Sequence, residues 1–466
     1  INEMVNAFNA YWSTRDKNAR GSGYKPFMRW EYHWKNYTNE QGYIMPAEQL
    51  WEAWRQKNQA KASRNATNRA LPPSNWQPVG PFTHTNTGSW SSGQGRVNIV
   101  HVDPSNPNTV YLGSPAGGIW KSTNNGSTWT PLTDQLPQIG VSGIAVDYSN
   151  SNTIYIATGD KDAGDSYSVG VYKSTDGGLT WSPTGTMGGS NPSRVGDIVI
   201  HPTNNQILWC ATNNGIYKTT NAGTSWTQVQ AGSFSQGNIR LKPGNPSTVY
   251  AVSNNRFYRS TNTGDSFTVV TTGLPTTSGR LLLDVTAANT EYVYILSATT
   301  GDAFQGIYRS TNGGTNWTRT SGTTDVFEST QAWYDLAFAV SPTNANELYT
   351  GCLNVWKSTN GGTAVTKLNS WSNPTGPSYT HADIHYLGFH GNKLFAGTDG
   401  GIYVSEDNGA NFTDLTAGVQ ISQFYKIAVS KQSAANMVGG LQDNGGHAYS
   451  GGQWKNYYGA DGMDTA

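Results

Sequence analysis

Three parts of this 466-residue sequence bring together acidic and histidine side chains that could support chemistry. The first is a short loop that carries Asp160, Asp162 and Asp165. Oxygen ligands grouped in this way suit a hard cation, so the loop is a candidate Ca²⁺ site, although its spacing is not that of an EF-hand. The alternative is a solvated or hydrogen-bonded loop without a metal.

The second part is His381-Ala-Asp383-Ile-His385, in which the polar residues recur at every second position. On a β-strand this spacing places all three side chains on one face. Such a set could hold a metal or perform acid/base chemistry. A hydrogen-bonded polar network is the alternative that we favour.

The third part is formed by Asp399, Asp443 and Asp461, which lie in glycine-rich segments near the C-terminal end. Glycoside hydrolysis needs a pair of carboxyl groups on either side of the scissile bond. If the protein is an enzyme, the candidate catalytic acids are therefore Asp383, Asp443 and Asp461.

These residues belong to a chain that repeats itself. The motif Ser/Thr-x-Asn/Asp-x-Gly-x-x-Trp/Phe begins at Ser122 and recurs at intervals of 52, 45, 41, 50, 48 and 47 residues, with a degenerate copy at Ser358. This period is typical of the four-stranded blade of a β-propeller. An eighth unit with a degraded motif follows, so the sequence predicts an all-β propeller of at least eight four-stranded blades.

The motif residues have structural explanations. Asn or Asp at the third position can cap the turn, glycine at the fifth tolerates positive φ, and the aromatic residue at the eighth packs between blades. We predict structural roles for Asn124, Gly126, Trp129, Asp176, Gly178, Trp181, Asn221, Gly223, Trp226, Asn262, Gly264, Phe267, Asn312, Gly314, Trp317, Asn360, Gly362, Asp407, Gly409 and Phe412.

Within a propeller, the innermost strands line a central channel. We therefore expect His381, Asp383, His385, Asp399 and Asp443 to bind a ligand or line the channel. Arginines recur at the starts of successive repeats and could ring the same channel; they are Arg96, Arg194, Arg240 and Arg280.

The two ends of the chain differ from the repeats. Residues 1–74 predict an arm with two amphipathic helices, an aromatic stretch between them and a polar linker over 60–73, and residues 75–466 form the propeller. Residues 75–79 resemble an outermost strand that would complete the last blade. The segment from Gly459 to Met463 resembles the start of a further unit, so we expect the propeller to be incomplete at its C-terminal end.

Composition restricts the class of partner. Charged residues make up 13% of the chain and the formal net charge is zero, whereas a nucleic-acid-binding domain needs a basic face. The longest apolar runs are too short to cross a bilayer. We predict neither nucleic-acid binding nor membrane insertion.

The repeats resemble the Asp-box (BNR) propellers of the sortilin/Vps10-like superfamily, and in detail they resemble bacterial surface proteins exported by type IX secretion. The segments that carry this resemblance are 21–32, 95–98, 113–122, 159–167, 381–385 and 442–445. The resemblance implies a secreted or cell-surface location, and it is specific for fold rather than for activity.

Two functional classes remain. The first, which we favour, is a non-enzymatic binding or structural protein for adhesion, appendage assembly or docking of a surface protein or glycan, with homo-oligomer or filament formation as an option. The alternative is a polysaccharide-degrading glycoside hydrolase. Double-propeller xyloglucanases use such acids in a cleft between propellers, but no position here matches their motifs securely. No cofactor is predicted besides the candidate Ca²⁺.

Overall fold

The computed structural model describes residues 1–17, 19, 22–35, 37–43, 47–66, 77–84, 93–137 and 139–462. The chain divides into two compact units, Ile1–Asn75 and Trp76–Ala466. The predicted start of a further unit extends to Met463, which lies outside the described residues.

The first unit contains three helices, α1 (Asn2–Trp12), α2 (Tyr24–Lys35) and α3 (Ala47–Ala66). The aromatic stretch that separates the two predicted helices is itself helical and forms most of α2. Phe8 of α1 stacks on Phe27 of α2, with ring centroids 3.5 Å apart. The predicted linker is wrong in its first half, because α3 continues to Ala66; residues 67–73 lie outside the described part.

The second unit consists of four-stranded antiparallel sheets, each built from four strands that follow one another in the chain. The strands of sheets 1 to 4 are β1 (Ile99–Val102), β2 (Val110–Ser114), β3 (Gly118–Ser122), β4 (Thr130–Pro131), β5 (Val141–Asp147), β6 (Asn150–Thr158), β7 (Val171–Ser174), β8 (Ser182–Pro183), β9 (Val195–Ile200), β10 (Leu208–Thr212), β11 (Gly215–Thr219), β12 (Thr227–Ala231), β13 (Ile239–Lys242), β14 (Asn245–Val252), β15 (Phe257–Ser260) and β16 (Thr268–Val270).

Sheets 5 to 8 continue the same order. Their strands are β17 (Arg280–Val285), β18 (Val293–Ala298), β19 (Phe304–Ser310), β20 (Thr318–Arg319), β21 (Ala337–Val340), β22 (Leu348–Gly351), β23 (Val355–Ser358), β24 (Thr366–Lys367), β25 (Ile384–His390), β26 (Lys393–Thr398), β27 (Gly401–Ser405), β28 (Thr413–Asp414), β29 (Phe424–Val429), β30 (Met437–Leu441), β31 (Gly445–Ser450) and β32 (Gln453–Tyr458). The described residues thus confirm the predicted all-β propeller architecture with eight four-stranded sheets.

One aromatic residue in the second strand of each of the first seven sheets forms the core between neighbouring sheets. These side chains are almost fully buried, and they are Tyr111, Tyr155, Trp209, Tyr250, Tyr294, Tyr349 and Phe395. Large aromatic side chains bury extensive apolar area. The corresponding position of sheet 8 is Val438, which is only partly buried.

The repeated motif forms the turn between the third and fourth strands. In sheet 2 the Ser174 hydroxyl donates to Asp176 at 2.8 Å and accepts the N–H of Gly178 at 2.8 Å. The Asp176 carboxylate also accepts the N–H of Thr180 at 2.9 Å. Gly178 has φ +97°, which side chains with a Cβ rarely adopt. The carboxylate of this motif is therefore used to hold the turn.

The same motif shows which sheets are neighbours. The Trp181 indole N–H of sheet 2 donates to the carbonyl oxygen of Leu132, just after sheet 1, at 3.0 Å. Trp129 of sheet 1 makes the equivalent bond at 2.8 Å to Leu415, just after sheet 7. Strands β1 and β25 are also in contact, and sheets 1 and 7 share one hydrophobic core. The first seven sheets therefore close a ring.

Sheet 8 lies outside this ring. Its strand β29 exposes Ile427 and Val429, which are 53% and 52% accessible. Residues 77–79 do not form the predicted closing strand, and residues 75 and 76 lie outside the described part. Closure needs no such strand, because each sheet has its own fourth strand and sheet 7 packs directly against sheet 1.

Cys210 and Cys352 are both buried free thiols. Across the described residues, no helix has the length and apolar character needed to cross a membrane.

Replacement of Gly178 by Val should destabilise the protein, by about 1–3 kcal/mol, because a β-branched residue resists positive φ. A Cβ at this position would also lie 2.5 Å from Leu132 Cδ1. Thermal unfolding of the variant would measure the loss. Gly189→Val is the matched control, because a Cβ on Gly189 meets nothing within 4 Å. An unchanged unfolding temperature for Gly178→Val would contradict the structural role.

Candidate active site

Polar residues gather at the end of the ring where the chain passes from the second to the third strand of each sheet. Asp160 lies in the β6–β7 loop, Asp399 in the β26–β27 turn and Asp443 in the β30–β31 turn. Asp383 and Tyr334 lie in the connections that lead into β25 and β21. The fold therefore brings together residues from distant repeats.

The buried Asp160 carboxylate organises its own loop. It accepts hydrogen bonds from the backbone N–H groups of Asp162, Ala163 and Asp165 at 3.2, 3.1 and 3.0 Å. It also pairs with Arg96 at 2.8 Å. Burial acts to raise the pKa of Asp160, but the Arg96 guanidinium outweighs it and holds the pKa below its usual value.

The other two carboxylates of the predicted Ca²⁺ loop are also paired with protein cations. Asp162 contacts Arg280 at 2.7 Å and His385 at 2.9 Å, and Asp165 contacts Arg96 at 2.9 Å. Among the described residues, no group of three or more His, Cys, Asp or Glu side chains is arranged to hold a metal ion. The loop does not fit a Ca²⁺ site, because protein cations already neutralise its carboxylates.

His385 links this loop to sheet 7. Its Nδ1 lies 2.9 Å from Asp162, and its Nε2 lies 3.0 Å from Asp399. Burial by itself would lower the pKa of His385, but the carboxylates of Asp399 and Asp162 raise it to about 9. The imidazolium in turn holds the pKa of the buried Asp399 below its usual value. Asp399 is therefore an anion at neutral pH.

Tyr334 connects the ring to sheet 8. Its hydroxyl donates to Asp399 at 2.6 Å and lies 3.5 Å from an oxygen of Asp443. The edge of its ring meets His385 with centroids 4.8 Å apart, and the Arg96 guanidinium lies over the ring at 5.2 Å. One phenol oxygen thus separates two carboxyl groups from different sheets.

Two half-buried carboxyl groups flank the turn that carries Asp399. The Asp399 N–H donates to the carbonyl oxygen of Asp383 at 3.2 Å, and the Asp399 carbonyl accepts from the Asn444 amide at 3.0 Å. Asp383 and Asp443 have φ of +60° and +56°. Strained backbone of this kind persists where surrounding contacts enforce it, often at functional sites.

Asp383 is held by a neutral hydrogen-bond donor. Gln331 Nε2 donates to its Oδ1 at 2.6 Å, and the same amide lies 3.1 Å from an oxygen of Asp335. Burial and the negative charge of Asp399 raise the pKa of Asp383 to about 7. Near neutral pH this carboxyl group is therefore distributed between its acid and its base form.

Asp443 retains its proton to higher pH. Its side chain accepts from Gln442 Nε2 at 2.7 Å, and its backbone N–H donates to Asp461 at 3.1 Å. Burial, the charge of Asp399 and smaller contributions from Asp461 and Asp383 raise the pKa of Asp443 to about 8. The turn thus carries a carboxylic acid that is neutral at pH 7.

The expectation that His381, Asp383 and His385 share one strand face is wrong. Strand β25 begins at Ile384, and the positive φ of Asp383 interrupts the alternation of side chains. His381 packs under Gly400. Asp383 and His385 both belong to the polar network, but they reach it from different directions.

A cavity of about 360 Å³ occupies the central channel. Its wall is formed by the innermost strands and includes Lys161, Arg240, Asp197 and Asp284. Of the residues that the sequence predicted to line the channel, His385 and Arg240 lie in this wall within the described part of the chain. The remaining acids lie at the end of the channel.

Three residues of this site, Gln331, Tyr334 and Asp335, were not predicted from the sequence. All three lie in the long connection between β20 and β21. The available signal was the run Gln331-Ala-Trp-Tyr-Asp335, which places aromatic and polar residues immediately before an innermost strand. A solvated loop would have the same composition, so the run by itself did not indicate a site.

Comparisons with known proteins identify enzymes among the relatives. No protein-family model matches the chain. A xyloglucanase of Paenibacillus sp is 26% identical over 351 residues, which cover 71% of this chain and 31% of the relative. Xyloglucanase Xgh74A of Acetivibrio thermocellus is 33% identical over 135 residues, which cover 26% of this chain and 16% of the relative. The chain thus spans a third or less of these relatives.

Solved structures agree on the fold. The GH74 enzyme of Niastella koreensis has a TM-score of 0.58 and 20% identity, with 80% of this chain and 61% of that chain covered. The GH74 xyloglucanase of Xanthomonas campestris has a TM-score of 0.57 and 17% identity, with coverages of 78% and 60%. These similarities establish a β-propeller fold.

The relatives correct the functional prediction. Both curated relatives are named as xyloglucanases, so the prediction of an adhesion or structural protein is wrong. The sortilin/Vps10-like assignment is not supported either, because the structural neighbours are GH74 propellers. The repeats gave no sign of this, because their residues are explained by folding alone.

The charge on His385 should make stability depend on pH. The pKa of His385 is raised from 6.5 to about 9. The charged imidazolium therefore contributes fully to the free energy of unfolding below pH 6.5, and this contribution is lost as the pH rises through about 9. Between pH 6 and pH 10, the unfolding temperature of His385→Gln should therefore fall less than that of the wild type. His201→Gln is the control, since His201 contacts Thr203 and no carboxylate. Equal declines in all three proteins would contradict a charged His385.

Proposed function

We propose that this chain carries the catalytic residues of a polysaccharide-degrading glycoside hydrolase, with a xyloglucan-type β-glucan as its substrate. The observation that carries the proposal is the pair Asp383 and Asp443, two half-buried carboxyl groups on either side of the Asp399 turn. The similarity of this chain to proteins named xyloglucanases supports the substrate class. An extracellular location is part of the proposal, because a polymeric glycan does not enter the cell.

Asp443 is assigned as the proton donor. A general acid must hold its proton at the working pH and must reach the substrate. Asp443 meets both requirements, because its pKa is raised to about 8 and its side chain is only half-buried. It would protonate the glycosidic oxygen as the bond to the leaving sugar breaks.

Asp383 is assigned as the carboxylate partner. Its Oδ1 accepts a hydrogen bond from Gln331 Nε2 at 2.6 Å, which favours the ionised form. In its ionised form it would accept the proton of the water that attacks the anomeric carbon. Gln331 also holds the carboxylate in place through its hydrogen bond.

Asp399 acts through its charge rather than by contact with substrate. It is buried and paired with His385. Its negative charge raises the pKa of both half-buried acids. Environments that separate the proton affinities of two carboxyl groups are what acid/base catalysis by such a pair requires.

The direct test is hydrolysis of xyloglucan by the purified chain, measured as the release of reducing ends, with mixed-linkage β-glucan, laminarin and carboxymethyl cellulose for comparison. Asp443→Asn and Asp383→Asn should each lower kcat by about 10²–10⁴-fold, because each removes one proton-transfer group. Asp265→Asn is the control, since Asp265 is an exposed carboxylate paired with Lys218.

Retention of full activity in both variants, with thermal unfolding unchanged, would overturn the assignment of these residues. Absence of turnover on every glucan by a folded wild-type protein would overturn the proposed function itself.

The pH dependence of kcat/KM should be bell-shaped. The ascending limb reports ionisation of Asp383 near pH 7, and the descending limb reports loss of the Asp443 proton near pH 8. Because the two groups interact, these limbs give the apparent pKa values of the pair. Initial rates from pH 3 to 10 would measure the profile. A maximum below pH 5 would contradict the assigned roles.

A further inference from the structure

Asp335 is a fully buried carboxyl group beside the assigned base. One of its oxygens accepts from Gln331 Nε2 at 3.1 Å, and the other accepts from the Cys352 thiol at 3.3 Å. The same Gln331 amide nitrogen donates to Asp383 at 2.6 Å, so the two carboxyl groups meet at one nitrogen atom. In the part of the chain that the structure describes, these partners include no cation.

Two carboxyl groups in contact cannot both be ionised without a large electrostatic cost, and burial without a cation increases that cost. Asp335 is completely inaccessible, whereas Asp383 is half-buried. The proton shared by the pair therefore belongs on Asp335. Because both of its oxygens already accept hydrogen bonds, its own O–H is the donor toward Asp383.

We propose that Asp335 is a positioning residue, a neutral carboxylic acid whose O–H donates a hydrogen bond to Asp383 and orients that carboxylate for its reaction with water. The proposal rests on the proposed function, and it adds a residue that does not touch the substrate. It explains why Gln331 and Cys352, which are neutral donors, surround Asp335.

Charged groups act on Asp383, and the test must separate Asp335 from them. Asp399 disfavours the ionised form of Asp383, and His385 favours it. Neither of these two is altered by a substitution at position 335. The effect of Asp335 depends on whether it acts as a neutral donor or as an additional charge.

Substitution by Asn and by Ala distinguishes these two roles. Asn keeps a neutral donor and an acceptor, so Asp335→Asn should leave the ascending limb of the pH profile in place and keep kcat/KM within about threefold of wild type. Ala removes the hydrogen-bond donor that stabilises the ionised form of Asp383. Asp335→Ala should therefore move this limb to higher pH by roughly one unit. Cys210→Ala, at a buried residue of another sheet, is the control for a change in packing.

A shift of the limb to lower pH by roughly one unit or more in Asp335→Asn would overturn the proposal, because it would show that a negative charge had been removed. If Asp335→Ala does not fold, Asp335→Asn by itself still tests the proposal, because the position of its limb distinguishes a neutral Asp335 from a charged one.

Infrared difference spectroscopy gives a readout that does not depend on activity. At about pH 10, where Asp383 and Asp443 are both ionised, the wild type should retain the carbonyl stretch of a buried protonated carboxyl group, and Asp335→Asn should lack it. Loss of turnover with this band present would contradict the proposed function alone. Absence of the band in the folded wild type would overturn the role of Asp335, whatever the activity.

Discussion

The buried ionic series Arg280–Asp162–His385–Asp399 holds the candidate site together. It joins the innermost strand of sheet 5, the β6–β7 loop of sheet 2 and sheet 7 across one end of the ring. Burying an ion without a partner costs several kcal/mol, so such a series persists only when its charges balance. With the pair Arg96 and Asp160, the buried groups of this layer are three cations and three anions, and the partly exposed Asp165 also contacts Arg96.

This layer also determines the electrostatics of the residues above it. Because His385 keeps Asp399 ionised, a fixed negative charge lies beneath two half-buried carboxyl groups. That charge raises the pKa of Asp383 and Asp443. The strength of the proposed acid therefore depends on buried residues, and a residue from sheet 5 influences the charge state of carboxyl groups on sheets 7 and 8.

The contribution of sheet 8 follows from its position. The ring closes between sheets 7 and 1 through Trp129 and Leu415, so sheet 8 is not needed to complete it. It is needed to complete the site, because Asp443 and Asn444 come from its β30–β31 turn. Tyr334 bridges the two parts by donating to Asp399 while it lies beside Asp443. A closed ring supplies one carboxyl group, and the additional sheet supplies the other.

The sequence by itself determined the repeated unit, because each turn motif is local. Ser174, for example, forms hydrogen bonds with Asp176 and Gly178 within a segment of five residues. It also identified Asp383, His385, Asp399 and Asp443 as residues that could do chemistry. It could not assign their roles, because pKa values depend on neighbours that are distant in sequence, such as Asp162 beside His385.

Only the tertiary structure decided that seven sheets close the ring, since a similar period continues into sheet 8 and packing alone shows which sheets meet. The structure also revealed Gln331, Tyr334 and Asp335, whose loop has no distinguishing pattern until the fold brings it against sheets 7 and 8. The strand pattern at His381, Asp383 and His385 failed for a related reason. Tertiary contacts hold Asp383 at positive φ, and alternation along a strand cannot predict such a break.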